Sequence, residues 1–255
     1  MAAHPAPDPS RGAFETLLAL DGAPVEAEAH LARLAGALRA AYRAALPAGT
    51  AARLADAARG LELGRLRVDA RPRRDTGRGG APAIEVAIEA TPLDPGDHFP
   101  DRPAALRPHE LPGGLGPHKW ADRSLLPEPA DGAEPLLHDG GEVLEAACAN
   151  VFALRDGALV TPPADGRILP GVTRAAVIAE ARAAGVPVRE GPLSLPELRA
   201  AEAVFITNSL RGVQLAALEG EEAERPDAPE PVRLLAARLW QRWQGNRVPE
   251  PRRAH

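Results

Sequence analysis

Residues 116–126 read GPHKWADRSLL, and they contain Lys119, the only lysine in the chain. Lysine and arginine together number 30, so every other residue of this kind is an arginine. Arginine stays protonated in proteins, whereas a desolvated lysine amine can lose its proton and act as a nucleophile. The pattern is equally consistent with a reactive lysine and with a surface lysine that has survived by chance.

The composition limits the classes of function that the chain can have. A formal net charge of −5 and a pI of about 5.8 disfavour a nucleic-acid-binding protein, which needs a basic excess to replace counterions. The single cysteine excludes an intrachain disulfide and a cysteine-based zinc site, and we expect no metal. No signal-peptide pattern and no run of roughly 18 apolar residues is present. We therefore expect a cytoplasmic protein without nucleic-acid or membrane partners.

Hydrophobic periodicity predicts a mixed α/β (α+β) protein with two small domains joined by an interdomain loop. The predicted parts are a flexible lead at 1–12, an N-terminal α/β domain at 13–95, a linker rich in proline and glycine at 96–117, and a C-terminal α/β domain with Lys119 at 118–255. Predicted strands and helices of the first domain lie at 13–20, 26–46, 50–62, 64–72 and 81–91. Those of the second lie at 133–163, 169–185, 201–209 and 229–244. A ligand site is expected in the cleft between the two halves.

Glu145 lies in VLEAACANVF (143–152), among apolar and small residues. Burying a carboxylate there is costly unless a cation or a hydrogen-bond donor meets it. A protonated pyridine nitrogen is one such partner. The same pattern also fits a glutamate on the solvent side of an edge strand.

Two turns have the composition of anion-binding sites. LPGVTR (169–174) is a glycine-containing turn that leads into a helix, whose N-terminal N–H groups and partial positive charge attract phosphate. FITNSLRG (205–212) ends a predicted strand with small polar groups, which suit ligand contacts in α/β proteins. An ordinary helix cap and an ordinary turn explain these two patterns equally simply.

A reactive lysine, a carboxylate and phosphate-binding turns are together the components of a pyridoxal phosphate site, which is one hypothesis among several. HKWADR, LEAACANVF, LPGVTR and ITNSLRG, in this order and spacing, resemble the class IV (fold type IV) pyridoxal-phosphate enzymes. That family includes branched-chain and D-amino acid aminotransferases and 4-amino-4-deoxychorismate lyase. The segments FETLLALDG and EAHLARL resemble its opening strand and first helix, so the resemblance runs from about Phe14 to about Leu215.

The resemblance implies a role for each matching residue. Lys119 matches the lysine that forms a Schiff base with the cofactor, and Glu145 matches the glutamate on the pyridine nitrogen. The residues that match phosphate-binding positions are Arg33, Val172, Thr173, Ser209 and Leu210. Asn150 matches an asparagine close to the cofactor, and Thr16, Asn208 and Arg211 are expected to contact the substrate.

The sequence TNSLRGV resembles the lyase branch, so we expect an aminodeoxychorismate lyase that releases 4-aminobenzoate and pyruvate. Lys119 is then nucleophile and general base, which requires a lowered pKa. Arg102, Arg107 and Arg211 are available to bind the two substrate carboxylates. An aminotransferase for branched-chain or D-amino acids with 2-oxoglutarate, and a catalytically silent binding protein, stay open. The family resemblance also implies a homodimer.

Two features depart from the family pattern. Only a short segment precedes Phe14, whereas the family usually begins with a further strand and a DRG turn. Leu125 and Leu126 stand where an aromatic residue commonly follows the lysine motif, which leaves the substrate pocket undetermined.

Overall fold

The computed structural model describes residues 6–73, 81–127, 132–220 and 228–245. They form two β-sheets with five α-helices, and the mixed α/β class predicted from the sequence is confirmed. Residues 74–80, between the strands predicted at 64–72 and 81–91, lie outside the described residues.

The smaller sheet belongs to the N-terminal half and has the strand order β2-β1-β3-β4, with antiparallel neighbours throughout. Its strands are β1 (Ala13–Leu20), β2 (Ala23–Pro24), β3 (Leu63–Pro72) and β4 (Ile84–Pro92). Two helices follow β2 in the chain: α1 (Ala27–Tyr42) and α2 (Thr50–Ala58). Helix α1 stops four residues before the predicted end because Arg43 takes a left-handed conformation, with φ of 56°.

The larger sheet has eight strands in the order β10-β9-β8-β11-β12-β5-β6-β7. Its strands are β5 (Ala104–Glu110), β6 (Glu134–Asp139), β7 (Glu142–Ala146), β8 (Asn150–Arg155), β9 (Ala158–Thr161), β10 (Val188–Glu190), β11 (Ala203–Asn208) and β12 (Gly212–Leu218). The helices of this half are α3 (Val172–Ala183), α4 (Leu195–Arg199) and α5 (Glu230–Gly245).

The segment predicted as a linker, 96–117, instead contributes β5 to the middle of the larger sheet. β5 pairs in parallel with β12 on one side and with β6 on the other. Its sequence, AALRPHE, has little β-branched or alternating character and includes a proline. Its strand conformation is therefore imposed by its two neighbours, which local sequence patterns cannot reveal.

Part of the segment predicted as a flexible lead is held against the body of the protein. Residues Pro9–Arg11 form a short 3-10 turn. The backbone N–H of Asp8 donates to the buried Asp122 carboxylate at 2.8 Å, and the Ala121 N–H donates to the Gly12 carbonyl at 2.9 Å. These contacts connect the start of the described chain to the segment that follows Lys119.

The two faces of β1 pack against different partners because successive side chains of a strand point to opposite faces. Leu17 belongs to an apolar cluster with Leu34 of α1 and Leu54 of α2. Leu18 belongs to a second cluster, formed mainly by the larger sheet and helices α3 and α5, which includes the stacked rings of Phe152 and Phe205. The alternation along β1 therefore joins the two halves of the molecule and sets which of its side chains face the cleft between them.

Within these four described ranges, no helix is long and apolar enough to cross a membrane. The same ranges hold no cluster of three histidine, cysteine, aspartate or glutamate side chains arranged to bind a metal ion.

Candidate active site

A cavity of about 370 Å³ lies where β1, the N-terminus of α3 and the β11–β12 turn meet. Ten of the thirteen site residues named from the sequence line it, and these are Thr16, Arg33, Lys119, Glu145, Asn150, Val172, Thr173, Asn208, Ser209 and Leu210. Residues as far apart in sequence as Thr16 and Leu210 are therefore brought to one place.

Lys119 is fixed through its backbone to the start of β1. The Phe14 N–H donates to the Lys119 carbonyl at 2.9 Å, and Trp120 forms a β-bridge with Ala13. The Lys119 amine lies 5.0 Å from the centroid of the Phe14 ring. The Lys119 segment is thus held by β1, whose two faces pack against the two halves of the molecule.

The electrostatic surroundings of Lys119 favour its neutral amine. Desolvation lowers the pKa of Lys119 below its ordinary value. The Glu15 carboxylate opposes this shift, whereas the guanidinium groups of Arg33 and Arg123 reinforce it. A lowered pKa is the property that a nucleophilic lysine and general base needs.

Glu145 lies in β7, lines the same cavity as Lys119 and is 5% exposed. The Leu169 N–H donates to its carboxylate at 3.1 Å. Burial raises the pKa of Glu145 to about 7, although this bond and the charges of Lys119 and Arg123 partly offset the effect. The group can therefore carry or give up a proton near neutral pH, and a cationic ring nitrogen would stabilise its ionised form.

The N-terminus of α3 offers its free N–H groups to the cavity. Gly171 is its N-cap and approaches Asn150 so closely that a Cβ at position 171 would lie 1.9 Å from the Asn150 side-chain oxygen. The Asn150 amide in turn donates to the Leu169 carbonyl at 2.9 Å. Glycine is thus needed here for close packing, and Asn150 holds the turn that leads into the helix.

The β11–β12 turn lies beside this helix end. The Asn208 side-chain oxygen accepts bonds from the Leu210 N–H at 3.0 Å and the Arg211 N–H at 2.8 Å. The Ser209 hydroxyl lies 3.4 Å from that of Thr173. Two hydroxyls and a helix N-terminus therefore converge, and they form a site suited to phosphate.

Two residues that sequence reasoning missed lie behind this side of the cavity and contact the lining residues Arg33 and Ser209. Glu15 and His30 are each 1% exposed, and the His30 Nδ1 lies 2.8 Å from the Glu15 carboxylate. Arg33 donates twice to the same carboxylate, at 2.8 and 2.6 Å, and the His30 Nε2 lies 3.1 Å from the Ser209 hydroxyl. Arg33 also donates to the Pro170 carbonyl at 2.9 Å. The network fixes Arg33 and Ser209 before any ligand binds.

The charges of this network are well compensated. Burial by itself would raise the pKa of Glu15, but hydrogen bonds from Arg33 and His30 outweigh it and lower the pKa to about 2. Two sequence signals point to these residues: Glu15 interrupts an apolar strand, and His30 lies three residues before Arg33 on one helix face.

The arginines expected to bind substrate are placed elsewhere. Arg211 does not line the cavity in the described part of the chain, because its guanidinium pairs with Glu134 at 2.6 Å. Arg107 makes two bonds to the Glu219 carboxylate, and Arg102 lies at the surface. The cavity is lined instead by three arginines that were not singled out, namely Arg65, Arg67 and Arg123.

Residues 12–217 match the family model described as amino-transferase class IV. The chain belongs to the class IV aminotransferase family. This family depends on pyridoxal phosphate, so the predicted family and cofactor are confirmed. The cavity fits the cofactor chemically, because it contains a lysine amine for the aldehyde, a buried carboxylate for the ring nitrogen, and the α3 N-terminus with Arg33 for the phosphate.

Sequence similarity to curated members of the class IV family is local. The chain is 42% identical over 76 residues to D-alanine aminotransferase from Listeria monocytogenes, covering 30% of this chain and 26% of that protein. It is 42% identical over 73 residues to branched-chain-amino-acid aminotransferase from Salmonella typhimurium, covering 29% and 24%. The chain thus matches only about a quarter of the length of these relatives.

Structural similarity to the class IV family covers nearly the whole chain. A candidate 4-amino-4-deoxychorismate lyase from Legionella pneumophila superposes with a TM-score of 0.75 at 20% identity, covering 95% of this chain and 96% of that one. A hypothetical aminotransferase from Mycobacterium tuberculosis, in its pyridoxal-phosphate-bound form, gives 0.73 at 22% identity and covers 97% and 95%. These similarities establish the fold of fold type IV.

Proposed function

We propose that this class IV enzyme is a lyase that converts 4-amino-4-deoxychorismate into 4-aminobenzoate and pyruvate. The observation that carries the proposal is the lining of the cavity by Arg65, Arg67 and Arg123 in addition to the phosphate-side Arg33. A substrate with two carboxylates suits this wall, because arginine is the preferred bidentate partner of a carboxylate. A branched-chain side chain would instead require an apolar pocket.

When bound, pyridoxal phosphate supplies an aldehyde for the substrate amine and a ring that withdraws electrons from the carbon bearing it. Lys119 would provide the amine that holds the cofactor. A neutral Lys119 amine could also accept the proton from the substrate carbon that bears nitrogen, and its lowered pKa favours that role. Glu145 would keep a proton on the ring nitrogen through its ionised carboxylate. Arg33, Thr173 and Ser209 would hold the phosphate.

An aminotransferase is the second candidate, and it uses the same residues. The local identity to the Listeria and Salmonella enzymes favours it. The two reactions differ in whether a leaving group is expelled from the substrate or the amino group is passed to a 2-oxo acid. A non-catalytic role is disfavoured by the presence of Lys119 and Glu145 in one cavity.

The test is to incubate the cofactor-loaded protein with 4-amino-4-deoxychorismate alone, and separately with leucine or D-glutamate and a 2-oxo acid acceptor. Release of 4-aminobenzoate and pyruvate without any acceptor supports the lyase. Amino transfer that requires the acceptor, without turnover of 4-amino-4-deoxychorismate, refutes it. The matched control is Lys119→Ala, which must be inactive in both assays.

A further inference from the structure

Arg123 differs from the other arginines of the cavity in its partners. Three of the four cavity arginines pair with a carboxylate: Arg33 with Glu15 at 2.6 Å, Arg67 with Asp69 at 2.8 Å, and Arg65 with Glu89 at 3.6 Å. Among the described residues Arg123 has no such carboxylate, and its guanidinium donates to the Ala147 carbonyl. Among the described residues, Arg123 is therefore the cavity arginine that lacks a carboxylate at ion-pair distance.

The partial burial of Arg123 makes this lack of compensation costly. A guanidinium has five N–H donors in a planar fork, and one carbonyl acceptor leaves most of them available. A charge removed from water without an opposite charge is unfavourable, and a bound anion would relieve that cost. A carboxylate matches the fork with two parallel hydrogen bonds.

The position of Arg123 brings that charge to the reactive side of the cavity. Arg123 follows Lys119 by four residues, and its bond to Ala147 places it against the segment that follows Glu145. Its charge contributes to lowering the pKa of Lys119 and stabilises the ionised form of Glu145. An anion bound by Arg123 is thus held close to the amine that reacts.

We propose that Arg123 binds a carboxylate of the substrate beside Lys119, in the role that the sequence had suggested for Arg211. The inference rests on the proposed function for the identity of the substrate, whereas the binding of a carboxylate is argued from the available donors of Arg123 and its place in the cavity. Arg123 is then the residue that selects anionic over neutral ligands in this cavity. Arg211 does not contribute to this selection, because its charge is already neutralised by Glu134.

A purely structural role for Arg123 makes a different prediction. If its only task is to hold the Ala147 carbonyl, then a neutral side chain that can donate the same bond should replace it. Arg123→Gln retains an N–H donor and loses the charge, whereas Arg123→Lys retains the charge. Arg107→Gln is the matched control, because Arg107 lies outside the cavity lining.

The experiment measures the dissociation constants of propionate and 4-hydroxybenzoate against those of their amides, from the change in the visible spectrum of the cofactor-loaded protein. None of the four probes has an amine that reacts with the aldehyde. We expect Arg123→Gln to lose about tenfold or more in affinity for at least one carboxylate, with the amides unaffected. Arg123→Lys should retain most of the preference, and Arg107→Gln all of it.

Equal binding of acids and amides by the wild type overturns the inference, and so does wild-type carboxylate affinity in Arg123→Gln. Equal loss of all four probes in that variant also overturns it, because it indicates a structural role. The assay requires no turnover. Arg123-dependent carboxylate binding in a protein that does not cleave 4-amino-4-deoxychorismate would therefore refute the proposed lyase reaction and leave this inference standing.

Discussion

Two buried glutamates near the cavity have pKa values that are shifted in opposite directions. Glu15 is 1% exposed and meets Arg33 and His30, and its pKa falls to about 2. Glu145 is 5% exposed and accepts a bond from one backbone N–H, and its pKa rises to about 7. Burial raises the pKa of both groups, so the difference comes from their partners.

The contrast separates a region in which the buried charges are paired within the protein from a region in which they are not. On the phosphate side the charges are paired within the protein, so the cradle exists before the cofactor arrives. On the reactive side Lys119 and Glu145 are held with pKa values shifted toward neutrality, as is common at catalytic sites. The bound cofactor and substrate would supply the missing partners there. Paired charges stabilise the fold around the site, whereas charged groups without a partner remain available for chemistry.

The largest effect is expected on activity, from Lys119→Arg in the region where the charges are unpaired. Arginine retains a positive charge but cannot act as a nucleophilic amine or as a base. We expect kcat/KM to fall on the order of 10⁴-fold. Borohydride treatment followed by mass spectrometry should find cofactor attached to the wild type and none attached to the variant. A variant that remains covalently loaded and active would remove Lys119 from the reaction.

The next largest effect is expected on stability, from Glu15→Gln in the region where the charges are paired. This change leaves the Arg33 and His30 side chains without their carboxylate, and breaking a buried pair of this kind costs roughly 3–5 kcal/mol in the free energy of unfolding. Because the pKa of Glu15 is lowered, the wild-type advantage should be full above pH 4.5 and should decline as the pH falls toward 2. Urea unfolding of the cofactor-free protein at several pH values measures it.

The control for this change is Asp56→Asn, which removes a pair between Arg59 and Asp56 at the surface, where the carboxylate is 59% exposed. Such a pair contributes about 0–1 kcal/mol. If Glu15→Gln is no more destabilising than this control, the phosphate side is not held by its buried network.

The smallest effect on stability is expected from Glu145→Gln, and its sign depends on pH. The native state holds the Glu145 proton more tightly than the unfolded state, so the wild-type free energy of unfolding should fall relative to the variant between pH 4.5 and about 7. The difference should reach at most about 3 kcal/mol in favour of the variant above this range. Urea unfolding of both cofactor-free proteins measures this difference. A difference in the free energy of unfolding that stays constant across the range would contradict the prediction.

The components of the site could be proposed from the sequence, although their local patterns fitted ordinary structural roles equally well. The resemblance to the class IV enzymes assigned a role to each residue, and the structure brings Lys119, Glu145 and Val172 to one cavity. Most strands and helices were predicted because periodicities of two and 3.6 residues persist along them. The strand β5 was missed, since its conformation depends on neighbours that are distant in sequence.

The pairing of charges was beyond the reach of local patterns. With 29 arginines in the chain, nothing in the sequence distinguishes Arg211, which Glu134 neutralises, from Arg123, which no described carboxylate meets. A partner of that kind comes from another strand or loop, and its approach depends on sheet order and register.

The sequence by itself therefore determined which functional groups the protein possesses and the family to which it belongs, because these are properties of residue type and spacing. Only the tertiary structure decided which of these groups are neutralised and which remain reactive. The pKa of a buried group depends on the charges and donors within a few ångströms, and in this protein those neighbours are assembled from β1, α1, β7 and the Lys119 segment by long-range packing.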